Sequence, residues 1–295
     1  MIKKIIVVLV VISISSMLLA ESLEDKLRMF DEKNAIGFLQ PLANSMGAGM
    51  NSGLFNTAKV LKPFAPSIKV STAMVIVPSS DKTFIYESQY GRVLTGTVFG
   101  DLQGEIVAES EKYFLPKGAD LGLVPVPQLS ASIGLPFGNE VMLRLLPEMN
   151  LSGVGDVWLW GVGLKHCLSQ YLPDFVPIDF AAQVVYQEMS IAEMVDFNSW
   201  TFSFLASKSI LMFTLYGGLG YEEANLKAKY EYQIYPGVEG LQVELDFKAQ
   251  NEFRGTVGAR ATIFPLVSVF ADYSIASSAG KTHPNTLNIG VGVGF

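Results

Sequence analysis

This sequence predicts an all-β fold, a transmembrane antiparallel β-barrel of 12–14 strands behind a short N-terminal helix/loop segment. Three observations carry that expectation. In the last nine residues Leu287, Ile289, Val291, Val293 and Phe295 alternate with Asn288, Gly290, Gly292 and Gly294, so a strand here has one apolar face and one nearly bare face. The 295-residue chain has a mean hydropathy of +0.34 and only 17% charged residues, apolar for a soluble domain. Yet beyond residue 20 no run approaches the roughly 20 consecutive apolar residues of a membrane helix. The apolar residues come instead in alternating pieces of about ten, the signature of a membrane barrel.

Residues 1–20 read as a signal peptide: Lys3 and Lys4 precede an apolar run from Ile5 to Leu19, and Ala20 stands before Glu21. Leu18 departs from the small residue that an ideal cleavage site has there. Removing this segment takes away two lysines and no acid, so the formal charge moves from −7 to −9. An acidic chain without a basic cluster argues against nucleic acid as a partner. Cys167 is the only cysteine and there are two histidines, which excludes an intrachain disulfide and argues against a structural zinc site. No cofactor is expected.

Residues 21–66 form the helix/loop segment. Ser22 with Asp25 suggests a capping box, and Leu23, Leu27 and Phe30 share one helical stripe. Pro41 is expected to end the helix, and Gly47-Ala-Gly49 and Asn51-Ser-Gly53 have loop chemistry. This segment either plugs the lumen or packs beneath the barrel as a periplasmic tail.

The barrel is expected over 67–295. Its first strand is 67–77, followed by 129–135, 139–147, 155–166, 178–187, 199–206, 210–221, 225–232, 241–248, 256–263, 266–275 and the terminal stretch. Residues 78–127 add two strands or none. A soluble sandwich has the same period of two, but it keeps a charged outer face; here the second face is often Gly, Ser or Thr, small enough to line a barrel interior. Trp158, Trp160, Tyr186, Trp200, Tyr230, Tyr232 and Tyr273 fall near strand ends, as interfacial aromatic girdles do. With both termini periplasmic, the connections at 137–138, 207–209 and 264–265 are short periplasmic turns, and 188–197 and 276–286 are outer loops. The connection 167–176 is long for its side.

A Ser–His hydrolase needs a histidine base held by an orienting group. His166 shares parity with the lipid-facing Trp158 and Trp160, His283 falls in an external loop, and no catalytic residues are assigned. The candidate lumen-lining residues are Glu140, Arg144, Asp179, Gln183, Glu244, Asp246, Arg260 and Asp272, with Arg260 and Asp272 near enough diagonally to pair. They either form a polar path for a solute or a satisfied network filling a narrow barrel.

The terminal Phe295, after alternating apolar residues, resembles the signal read by the outer-membrane barrel assembly machinery, and so implies that machinery and outer-membrane lipids as partners. Three stretches, Gln40-Pro41 with Gly49–Ala58, Gln128–Gly138 and Gly161–His166, resemble a family of Gram-negative-type bacterial proteins of unknown function, usually expected to be outer-membrane barrels. That resemblance implies an outer-membrane location and brings no catalytic residues. A looser, architectural similarity runs to long-chain fatty-acid transporters, which carry an N-terminal hatch inside the barrel. The expected function is a narrow channel or transporter for small apolar or amphipathic solutes. The alternative is a structural or partner-binding barrel with a filled lumen, and an outer-membrane hydrolase ranks third.

Overall fold

The computed structural model describes residues 23–108, 111–151, 155–173, 175–192, 194–233, 240–264, 266–278 and 281–294. The signal-peptide expectation, the Ser22 cap and the assembly-signal residue Phe295 lie outside the described residues.

Two helices come first, α1 (Leu23–Leu27) and α2 (Glu32–Met50). Strand β1 (Pro66–Ile76) follows, then two small hairpins, β2 (Thr83–Ser88) with β3 (Gly91–Gly96) and β4 (Glu105–Ala108) with β5 (Glu111–Phe114). The wall continues through β6 (Leu123–Leu135), β7 (Asn139–Leu151), β8 (Gly155–Cys167), β9 (Asp179–Ile191), β10 (Val195–Ile210) and β11 (Phe213–Tyr232). It is completed by β12 (Leu241–Lys248), β13 (Phe253–Phe264), β14 (Val267–Ser278), the two-residue β15 (Lys281–Thr282) and β16 (Asn285–Gly294). Antiparallel pairing runs from β6 through β11 to β13, β14 and β16, and β16 pairs with β1, which pairs back to β6. The sheet is therefore closed through β13, β14, β16 and β1, while β12 pairs only with β11 among the described residues.

The sheet contains twelve strand segments, arranged as ten staves. The expected count of 12–14 is corrected on this point. Segments 210–221 and 225–232 are one strand, β11, because nothing in Glu222-Glu223-Ala224 breaks the chain's extension. Segments 241–248 and 256–263 are two halves of one stave, both paired to β11. The hairpins of 78–127 stand outside the wall. Two connections also differ from expectation. Ser207–Ser209 belongs to β10, with the turn at Leu211–Met212, and most of the loop expected over 188–197 is strand, because β9 runs to Ile191 and β10 starts at Val195.

Strand β11 shows how the wall is layered. From Phe213 to Tyr221 its outward residues are apolar (Phe213, Leu215, Leu219, Tyr221), and its inward ones include Thr214 and Tyr216. From Glu222 onward the pattern inverts: Ala224, Leu226, Ala228 and Tyr230 point inward and are buried, while Lys227 and Lys229 point outward. The lower part exposes a belt that includes Ile68, Leu145, Val162, Phe204, Leu215, Val257 and Ile289. A contiguous apolar belt of that kind has to face lipid, so the lower part is a membrane-spanning barrel. The upper part, with a dry interior and a charged exterior, is built for water. No helix among the described residues is long and apolar enough to cross a membrane.

The two ends of the barrel differ. The near end carries the start of β1, the ends of β13 and β16 and the turns 136–138 and 211–212; the far end carries the hairpins, the end of β9 and the end of β11. On the outer face Trp160 and Trp200 flank Tyr186, at ring-centroid distances of 5.8 Å and 4.6 Å, and the Trp160 indole donates to Glu188 at 3.0 Å. Tyr230, expected among such girdle residues, is buried inside instead, donating to the Phe30 carbonyl at 2.8 Å.

At the far end, the N-cap Asp31 accepts from the Asn34 backbone N–H at 3.0 Å. Phe30 and Phe38 pack at 5.0 Å and extend to Phe84 and Tyr86 of β2. The Lys33 ammonium, together with the Arg92 guanidinium, hydrogen-bonds Glu87 and holds its carboxyl below its ordinary pKa of 4.5. A depressed carboxylate pKa contributes stability that is present above 4.5 and lost as pH falls through the lower folded value. Amide exchange of β2 and β3, corrected for intrinsic rates, is therefore expected to gain less protection below that window than at neutral pH. Equal protection on both sides would mean that these ion pairs do not hold the hairpin to the helix.

Candidate functional site: the filled lumen

Helix α2 continues through Pro41 to Met50, past the expected end. An interior proline lacks an N–H, yet the alternative is unpaired backbone in a water-poor interior, which costs more. The glycines assigned to loop chemistry serve the fit. A Cβ at Gly49 would sit 2.5 Å from Val126, and one at Gly47 would sit 3.1 Å from the Ala224 methyl. After the helix, residues 51–58 continue downward, nearly all buried, until Phe64 N–H donates to Gly134 at the near end. The segment thus runs the length of the interior. Its beginning lies at the far end, where Gln233 N–H donates to the Arg28 carbonyl at 3.0 Å, so the expectation of both termini at one end is corrected for the described chain.

The last turn of a helix leaves carbonyls without intrahelical partners and carries a partial negative charge. Here the wall supplies the donors. Arg254 donates to Ala48 O at 3.0 Å, Gln128 to Gly49 O at 2.9 Å, and Arg144 and Gln187 to Met50 O at 2.5 Å and 3.0 Å. Arg144 also reaches Ser52 O at 3.2 Å and Gln187 Oε1 at 2.6 Å. Just past the helix, Asn51 Oδ1 accepts from Ser199 at 2.8 Å and Thr201 at 2.6 Å. Arg254 is itself clamped by Glu222, at 2.7 Å and 3.1 Å, with both side chains almost wholly buried. Above this polar layer lies the main apolar core; below it a smaller cluster joins Leu54 and Phe55 to Met142, Val185, Leu205 and Tyr216.

The residues singled out from the sequence are divided by this arrangement. Arg144 lies fully buried in the clamp, and Gln183 is buried against Leu54 O at 3.5 Å. Glu140 pairs with Lys165 at 2.9 Å and accepts from Leu61 N–H, while Asp179 lies 3.7 Å from Lys59. Asp272 accepts from Tyr216 and Asn288, each at 2.9 Å, and Arg260 donates to Asn56 at 3.4 Å, so the two do not form the expected pair. Glu244 and Asp246 are corrected: both are exposed and pair outside the wall with Lys229 at 3.2 Å and Lys227 at 3.5 Å. The cause is a bulge. Ala249 pairs with Ala224 and Glu252 with Glu222, so two residues, Gln250 and Asn251, oppose Glu223 alone, and the inward parity of β12 is shifted by one against β13. Helix α2 holds the bulge through Asn44, whose oxygens accept from Gln250 N–H and the Asn251 amide, both at 2.8 Å.

Sequence reasoning missed Gln128, Gln187, Glu222 and Arg254. Gln128 and Gln187 have inward parity but carry no charge, and the last two fall in stretches between the expected strands. His166 points outward at the near end, bonded to Asn139 at 2.8 Å and to Tyr171 and Gln170 at 3.1 Å. His283 is buried in the far-end connection. Among the described residues no group of three metal-ligating side chains occurs.

At the near end a cavity of about 330 Å³ separates residues 55–61 from the wall. Lys69, Lys165, Arg260 and Glu140 line it together with hydroxyls of Ser67, Ser132, Thr214 and Thr262, and the exposed Leu211 lies at its rim.

Three solved structures are among those similar to this chain. The outer membrane protease OmpT from Escherichia coli is 10% identical, with 81% of this chain and 100% of that chain covered and a TM-score of 0.41. A COG4313 outer membrane channel from Pseudomonas putida F1 is also 10% identical, over 81% of this chain and 98% of that one, with a TM-score of 0.40. Ail of Yersinia pestis is 14% identical over 79% of this chain and 100% of that one, at a TM-score of 0.30. No curated protein matches the sequence. The family model for a family of unknown function, DUF6588, matches residues 1–295, the whole chain, and the protein belongs to that family.

Proposed function

We propose that this is a non-enzymatic outer-membrane barrel held shut by its own N-terminal segment, with a structural or partner-binding role. One observation carries the reading: the carbonyls of Ala48, Gly49 and Met50 are each taken by a wall side chain, so wall and segment are joined in one buried hydrogen-bond network. A segment that left the lumen would strand buried donors on the wall, including two guanidinium groups. In this reading the near end, with its mostly short turns, faces the periplasm. Residues 1–20 direct export, the assembly machinery recognises Phe295, and outer-membrane lipids surround the apolar belt. The far-end hairpins then stand outside the cell and present Ile85, Leu94, Val107, Tyr113 and Phe114 to a partner.

The second reading is a narrow channel or transporter for small apolar or amphipathic solutes that opens when the segment shifts. The near-end cavity favours it, because it already reaches from the rim to Phe55 and Leu61. For a hydrolase, the outward His166 and its amide and phenol partners offer no nucleophile.

Planar-bilayer recording distinguishes the two main readings. Protein shown to be folded, by migrating faster unheated than boiled, is expected to give no sustained current. A steady open-pore conductance from the wild-type chain would overturn the closed-barrel reading and favour the channel.

A further inference from the structure

The near-end cavity has an unbalanced charge. Four cations border it, and two have a carboxylate partner: Lys165 pairs with Glu140 at 2.9 Å and Lys59 lies 3.7 Å from Asp179. Lys69 and Arg260 have no carboxylate within ion-pair distance among the described residues. Lys69 Nζ makes one bond of 3.3 Å to Leu54 O, and Arg260 Nη1 makes one of 3.4 Å to Asn56 Oδ1. Arg260 Nε is buried without a partner. Half-buried cations without counter-charges are costly, and proteins normally pair them. Here they face a space that also presents serine and threonine hydroxyls, in a chain of formal charge −7.

We infer that this cavity is a binding site for a small oxyanionic solute, whose carboxylate or phosphate oxygens occupy the space between Lys69 and Arg260. Arg260 uses one guanidinium N–H, at Nη1, for a 3.4 Å bond to Asn56 and has terminal N–H donors left for such an oxygen, and Lys69 has two N–H donors to spare. The hydroxyls of Ser132, Thr214 and Thr262 suit an oxygen-bearing body, and Phe55 and Leu61 cover its carbon skeleton. A volume of about 330 Å³ lies at the lower limit of ligand pockets, roughly 300–1,000 Å³, and so selects a small molecule. The site lies below the clamped helix end, and its occupation does not require the N-terminal segment to move.

The test is calorimetric titration of the folded full chain in neutral detergent at low salt, with succinate and inorganic phosphate as probes and glucose as the neutral control. Saturable binding of one probe at one site per chain is expected, and the probe that binds identifies the anionic group. Arg260→Gln and Lys69→Gln are each expected to weaken it about tenfold or more, while Arg260→Lys retains most of it. Absence of saturable binding by both anions, or undiminished binding in both neutral variants, overturns the inference. Because both cations also touch the internal segment, a second measurement uses the wild-type chain alone. Acetylation of Lys69, read by mass spectrometry, should slow under saturating anion and be unaffected by glucose; no protection would equally overturn the inference.

Discussion

Replacing Arg254 with methionine is expected to destabilise the folded barrel by about 3–5 kcal/mol, because the buried Glu222 carboxylate is left without a counter-charge. Arg254 holds that carboxylate through two bonds and also supplies the donor for Ala48 O. The fast-migrating unheated form should therefore convert to the slow form at a clearly lower temperature. Glu222→Met in the same chain should recover a large part of the loss, since an apolar replacement of a whole buried pair is often nearly neutral. A single variant as heat-resistant as the wild type would show that the pair contributes nothing.

Arg144→Met is expected to act on the internal segment more than on the wall. Gln187 continues to donate to Met50 O, so the loss falls on Ser52 O and Gln187 Oε1, at about 1–3 kcal/mol for each buried acceptor left without a donor. Together that is about 2–6 kcal/mol, so local opening of residues 44–56 should become roughly 30–20,000 times more frequent. Hydrogen exchange measures this directly: amides of that stretch should exchange faster while those of β13 and β14 keep their protection. Uniform acceleration everywhere would mean that Arg144 supports the barrel as a whole and not the seating of the helix.

The wall was legible because its code is local. Alternation in β7, β9, β14 and β16 needs only neighbouring residues, and it turns Glu140, Arg144, Gln183 and Asp272 to one side without knowledge of any partner. Alternation does not report where a strand leaves the membrane. In β11 the inward set passes from polar to apolar without a break in period, and the run was divided where the chemistry changed. The bulge at Gln250-Asn251 was equally invisible, and it reversed Glu244 and Asp246. The helix beyond Pro41 could not be read from propensity, because confinement by the lumen decides it. The partners of the lumen residues lie far away in sequence: Arg144 meets Met50 across 94 residues and Arg254 meets Ala48 across 206.

The pairing of β1 with β16 has a consequence for how the molecule assembles. No closed cylinder exists until the last strand reaches the first, and α2 immediately precedes that first strand in the chain. The helix therefore need not be drawn through a finished hole; the growing sheet can curl round it, with Asn44 gripping the bulge and Tyr230 gripping Phe30 before the seam shuts. Contacts spanning 200 residues or more make closure slow, since so much chain must be gathered before they form. The N-terminal segment then stands where a mandrel would, inside a cylinder whose girth its ten staves set.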